Sequence, residues 1–111
     1  KNYPDMILPE TLGQDGWWNR PFESRELRQP RARRVLDRLL RKHAAREDHV
    51  ALVTHVGFYN HMMRVLFDVS NEAKVWFRLD NAAITRIMID EQEIRLVYAN
   101  RLDYLPQEMI T

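Results

Sequence analysis

A run of five residues with no charge and no glycine or proline, Val50-Ala51-Leu52-Val53-Thr54, leads through His55-Val56-Gly57 into the apolar-rich stretch Phe58 to Phe67. This junction limits what the chain can fold into. A short uninterrupted run of this kind suits a strand buried on both faces, as parallel sheets require, whereas Phe58, Tyr59, Met62, Met63 and Leu66 recur at helical spacing. The pattern predicts a strand, a turn at His55 and an amphipathic helix. In open α/β sheets, ligands bind beyond the carboxyl ends of strands, where a following helix offers free N–H groups and the positive end of its dipole. An anion such as phosphate suits that place.

Upstream, Ser24 reads as an N-cap with Glu26 in the first turn, and Ala32, Val35, Leu36, Leu39, Leu40 and His43 trace one apolar stripe. Pro30 marks either a kink or the first residue of a second helical segment. Residues 1 to 21 hold three of the five prolines and two of the three glycines, so they read as an irregular connection, a lid over a site. Trp17 and Trp18 are its heaviest side chains, one suited to anchoring and the other to covering a pocket. Downstream, Lys74 to Leu79 reads as a short extended piece. Ile84 to Ile89 and Glu93 to Ala99 read as two strands joined at Asp90-Glu91-Gln92, and residues 100 to 111 as loop.

Several stretches together carry a resemblance: Val53-Thr54-His55-Val56-Gly57-Phe58, Gly16-Trp17-Trp18-Asn19-Arg20-Pro21-Phe22-Glu23-Ser24, Leu79-Asp80-Asn81-Ala82-Ala83-Ile84-Thr85, and Tyr98-Ala99-Asn100-Arg101-Leu102-Asp103-Tyr104-Leu105-Pro106. In order and spacing they resemble the carboxyl-terminal half of the histidine phosphatase superfamily, the group that includes cofactor-dependent phosphoglycerate mutases. The resemblance implies an α/β three-layer sandwich with a mainly parallel sheet and flanking helices. Residues 1–111 would be the carboxyl-terminal portion of one such domain, with 1–23 as loop or lid and 24–111 as helix, βα core and terminal strand pair.

It also implies a phosphate monoester hydrolase that works through a phosphohistidine, with His55 as the second active-site histidine. Val56, Gly57, Trp17, Trp18, Glu23 and Asn81 would contribute to the substrate pocket. The alternatives are a noncatalytic phosphate-binding or interaction domain and a mutase-type phosphotransferase. Family members carry an Arg-His-Gly triplet whose histidine is phosphorylated, and no such triplet occurs among these residues. The expectation is therefore a missing amino-terminal half or a companion chain, with this stretch inactive alone and the complete polypeptide an enzyme. Two departures stand out: Val56 follows His55 where relatives usually have Gly, and Tyr104 stands where they often have His.

Composition bounds the partners. Seventeen basic and sixteen acidic residues leave a net charge of +1, with no overall pull toward nucleic acid or membrane, although 14 of the 17 cations are arginine. The absence of cysteine removes disulfide and thiolate chemistry and fits a cytoplasmic setting. Histidines 43, 49, 55 and 61 recur every six residues, about 240° apart on a helix, so they share no face and suggest no metal site. No cofactor is expected; the partner is a small-molecule phosphate ester, and a homodimer is compatible.

Overall fold

The computed structural model describes residues 23–110, in the order α1 (Arg25–His43), α2 (Val56–Leu66), β1 (Ile84–Ile89), β2 (Ile94–Arg101) and a 3-10 turn at Gln107–Met109. The lid region, with Trp17 and Trp18, lies outside the described residues.

Helix α1 begins at Ser24, which has extended backbone geometry as an N-cap does. It runs unbroken through Pro30. Pro30 is the sixth residue of the helix, so its missing N–H removes one bond, to the Glu26 carbonyl, close to an end where several N–H groups are unpaired anyway. The stripe read from sequence is the packing face. Ala32 is fully buried, Leu36 nearly so, and Met62 and Val65 of α2 meet them, with Val35, Leu40, Phe58 and Leu66 around the edge. Ala32 lets the two helix backbones approach without a side chain between them. The rest of the helix surface is cationic: α1 carries seven arginines and one lysine against Glu26 and Asp37, a surplus of six positive charges.

Helix α2 ends on a left-handed residue that is not glycine. Asp68 has φ 51°, and the Val69 N–H turns back to the Arg64 carbonyl at 2.9 Å, the 6→1 bond of a Schellman ending. Arg64 then fastens the next loop, its guanidinium donating to the carbonyls of Ser70, Ala73 and Val75.

The strand pair forms as an antiparallel hairpin, with Ile89 opposite Ile94 and Ile84 opposite Arg101, and with irregular register on either side of Arg86. Its turn is closed by Asp90, whose carboxylate accepts from the N–H groups of Gln92 (2.8 Å) and Glu93 (2.9 Å). These bonds hold the Asp90 pKa below its usual value. β2 runs to Arg101, beyond the expected end, through a bulge in which Ala99 and Asn100 stand against Thr85 alone; Asn100 takes φ 51° there and its N–H donates to the Thr85 hydroxyl.

Two expectations are not met among the described residues. Val50 to Thr54 forms no strand among the described residues, and Val53 is 96% exposed. The observed sheet is a two-stranded antiparallel one, β1 beside β2, rather than a mainly parallel sheet between helical layers. The physical reason is common to both. A run of this kind becomes a strand only when a neighbour accepts its ladder bonds, and no described segment pairs with residues 50–54. The hairpin shows the same shortage of cover, with Ile84, Met88, Ile89, Ile94, Leu96 and Val97 each about 40% exposed.

Candidate functional site

His55 is the N-cap residue of α2, with φ −106° and ψ 157°. Its carbonyl accepts the first helical bond, from the Tyr59 N–H at 2.9 Å, while no side chain caps the helix start. The first-turn N–H groups of a helix have no internal partners, so this end presents backbone donors and the positive end of the helix dipole beside an exposed imidazole. The acidic residue that often occupies a first turn is absent from α2.

Val56 is the first helical residue, and its backbone is not left-handed. A β-branched side chain therefore fits, and no glycine is required at this position for conformational reasons. Gly57 lies in the first turn, with open space where a Cβ would stand. Its lack of a side chain keeps the surface beside His55 unobstructed.

Glu23 is engaged elsewhere. Its carboxylate accepts from the Arg31 Nε at 2.7 Å, and the Arg31 guanidinium lies 4.2 Å over the Phe58 ring on the first turn of α2. Glu23 thus ties the start of α1 to the start of α2 through Arg31. Asn81 is exposed in the turn before β1.

The residue that sequence reasoning missed is Asn60, 2% exposed. Its Nδ2 donates to the carbonyls of Val56 (3.0 Å) and Phe77 (2.9 Å), and its Oδ1 accepts from the Phe77 N–H (2.8 Å). The signal was a lone amide within the apolar stretch Phe58 to Met63. A second network joins α2 to the hairpin. Tyr59 Oη and Thr85 Oγ1 share a hydrogen bond of 2.9 Å, and Thr85 Oγ1 also accepts from the Asn100 N–H at 3.3 Å. Asn100 bonds Asp80 twice, accepting from its N–H (2.7 Å) and donating to its carboxylate (2.9 Å). Arg78 and Asn100 together hold the Asp80 carboxyl below the usual range. Tyr104 donates its hydroxyl proton to the Ala82 carbonyl, which fixes the same loop from the other side.

The sequence motif around His55 anticipates a helix that starts at this histidine, and Arg31, Asn60 and Tyr59 pin the first turn of that helix. A family model for the histidine phosphatase superfamily, branch 1, matches residues 4–101. The chain belongs to this superfamily. No curated protein and no solved structure matches the chain. Membership supports phosphatase- or mutase-type chemistry in general and an α/β fold. In this superfamily member, no helix among the described residues is long and apolar enough to cross a membrane.

Proposed function

We propose that the protein is a phosphate monoester hydrolase acting through a phosphohistidine, and that His55 and the start of α2 hold the phosphoryl group being transferred. The observation that carries this reading is His55 as the uncapped N-cap of α2. Imidazole and backbone N–H groups converge on one exposed place, where charge developing on phosphoryl oxygens would meet preorganised donors.

In the reaction, a histidine nitrogen attacks phosphorus and the ester oxygen leaves with a proton. Water then attacks the phosphohistidine, releasing inorganic phosphate and restoring the nucleophile. None of the four histidines stands in an Arg-His-Gly triplet, so the reading takes the nucleophile from sequence outside these 111 residues. Glu23, paired with Arg31, serves better as a tie than as the leaving-group acid. Val56, Gly57, Asn81, Trp17 and Trp18 remain the proposed pocket residues. If a substrate hydroxyl replaces water as acceptor, the same site performs a mutase reaction.

We also propose that the fold completes to a three-layer sandwich in the cytoplasm, in which the run 50–54 pairs as a strand. Support comes from the apolar residues exposed on both faces of the hairpin, a pattern suited to a sheet covered on both sides.

The test is p-nitrophenyl phosphate turnover by the natural polypeptide that carries these residues. His55→Ala is expected to lower kcat by about 10² to 10³, with acid-labile phosphate trapped on a histidine. Unchanged turnover in the variant overturns the reading. Val56 favours one rival, a noncatalytic phosphate-binding domain, because a branched side chain, 38% exposed, stands directly after His55. That rival predicts phosphate binding that depends on His55 without turnover.

A further inference from the structure

Away from His55, a cleft of about 740 Å³ opens between α1, the later turns of α2 and the loop that follows it. Arg25 and Arg33 line it from α1, His61 and Arg64 from α2, and Asn71 and Trp76 from the loop. No residue from His55 to Phe58 takes part, so the cleft is separate from the proposed phosphoryl site. Its volume lies in the range of small-molecule pockets, about 300–1,000 Å³.

The charges in the cleft are uneven. Arg64 spends its donors on three backbone carbonyls. Glu26, the acidic residue of the lining, has its pKa lowered first by the Ser24 hydroxyl and its own N–H, and then by the charges of Arg25 and Arg28. Arg25 and Arg33 have no hydrogen bond or ion pair among the described residues, and both are exposed. Two guanidinium groups with free donors therefore share a concave surface, and guanidinium suits the oxygens of phosphate or carboxylate.

Trp76 supplies the second half of the chemistry. It is 67% exposed, an unusual position for the largest apolar side chain, and among the described residues no cation covers its ring. An indole open to a cationic cleft offers a stacking face for a planar ring. His61 adds a polar inner wall, and its buried Nδ1 has no partner among the described residues.

We infer that this cleft is a binding site for a small anion bearing a planar ring, of the nucleoside monophosphate class, with the ring on Trp76 and the anionic group between Arg25 and Arg33. Among the described residues Trp76 is the one Phe, Tyr or Trp in the lining, which suits a single ring; recognition of a nucleic-acid strand uses successive stacking residues. The inference does not depend on the chemistry proposed for His55.

The test is calorimetric titration of the natural polypeptide with adenosine monophosphate, adenosine, inorganic phosphate and a short oligoadenylate. The monophosphate is expected to bind more tightly than adenosine or phosphate, and no more weakly than the oligomer. Arg33→Glu and Trp76→Leu, each made in the His55→Ala background so that the proposed phosphoryl site does not contribute, should each weaken it by about tenfold or more, while Arg38→Glu, a matched reversal on the far face of α1, leaves it unchanged. Circular dichroism confirms that each variant is folded. The inference is overturned if the monophosphate shows no saturable binding up to about 1 mM, or if adenosine alone matches it. It is equally overturned if Arg33→Glu and Trp76→Leu have no effect, if the oligomer binds more tightly, or if His55→Ala abolishes binding. That last outcome would move the ligand to the phosphoryl site.

Discussion

The side-chain amide of Asn60 pairs with both backbone groups of Phe77, donating at 2.9 Å to its carbonyl and accepting at 2.8 Å from its N–H. A helix side chain thereby takes the place of a neighbouring strand for one residue of the segment that follows α2. Asn60→Ala takes the amide away from the Phe77 N–H and from the Phe77 and Val56 carbonyls in a part-buried setting, at an expected cost of about 1–3 kcal/mol. Urea unfolding measures it. Asn60→Leu, similar in size, should not recover the loss, since the deficit is of hydrogen bonds and not of volume.

Of the three left-handed residues Asp68, Ala82 and Asn100, the first and last should respond in opposite directions to glycine. Asp68 ends α2 through backbone bonds alone, so Asp68→Gly relieves a left-handed strain of about 1 kcal/mol and should be neutral or stabilising. Asn100 also bonds Asp80 through its side chain, and Asn100→Gly should destabilise by about 1 kcal/mol or more. Asn100→Ala, which loses the bonds and retains the strain, should be worse than Asn100→Gly. Thermal unfolding of the three variants gives the order.

Ala32 is completely buried where the helices meet. Ala32→Leu inserts three carbons into that contact and should cost about 1–3 kcal/mol through displaced backbone or unfavourable rotamers. Equal stability of the variant would show that the helices separate without penalty.

Acid should weaken the fold from near neutrality. Burial, and then the charges of Arg28 and Arg64, push the His61 pKa below its ordinary 6.5, with Glu23 acting in the other direction. The unfolded chain takes up a proton near pH 6.5 that the folded chain resists. Stability is therefore full above that pH and is lost as pH falls from 6.5 toward the lowered folded value. Asp80, Asp90 and Asp103, all held below 3.8, add losses only at lower pH. In His61→Gln the slope between pH 6.5 and the carboxylate range should flatten; an unchanged slope would assign it to another group.

Periodicity carried the helices and the hairpin. The stripe from Ala32 to Leu40 and the set Phe58 to Leu66 face each other as their spacing implied, because i, i+3, i+4 repetition maps directly onto a helix face. Residues 50–54 read as a strand and do not form one among the described residues, since a run of apolar residues specifies an environment and not a partner. Around His55 the motif located the histidine at the start of α2. The supports of that turn were not legible: Asn60, Arg31 over Phe58, and the chain from Tyr59 through Thr85 and Asn100 to Asp80 depend on pairs distant in sequence. The Val56 backbone was likewise settled by structure, which places it in helical geometry where glycine is not demanded.

The cations gathered on α1 give the chain a strong electrical polarity that its total of +1 conceals, since the other residues must carry a surplus of five negative charges. The helix is about 28 Å long, whereas fields in 0.1 M salt decay over about 10 Å. A charged neighbour therefore meets one region at a time and senses a strong positive field only where it approaches α1. Such a molecule should adhere to cation-exchange resin at pH 7, oriented with α1 against the beads, and be released steeply by modest salt.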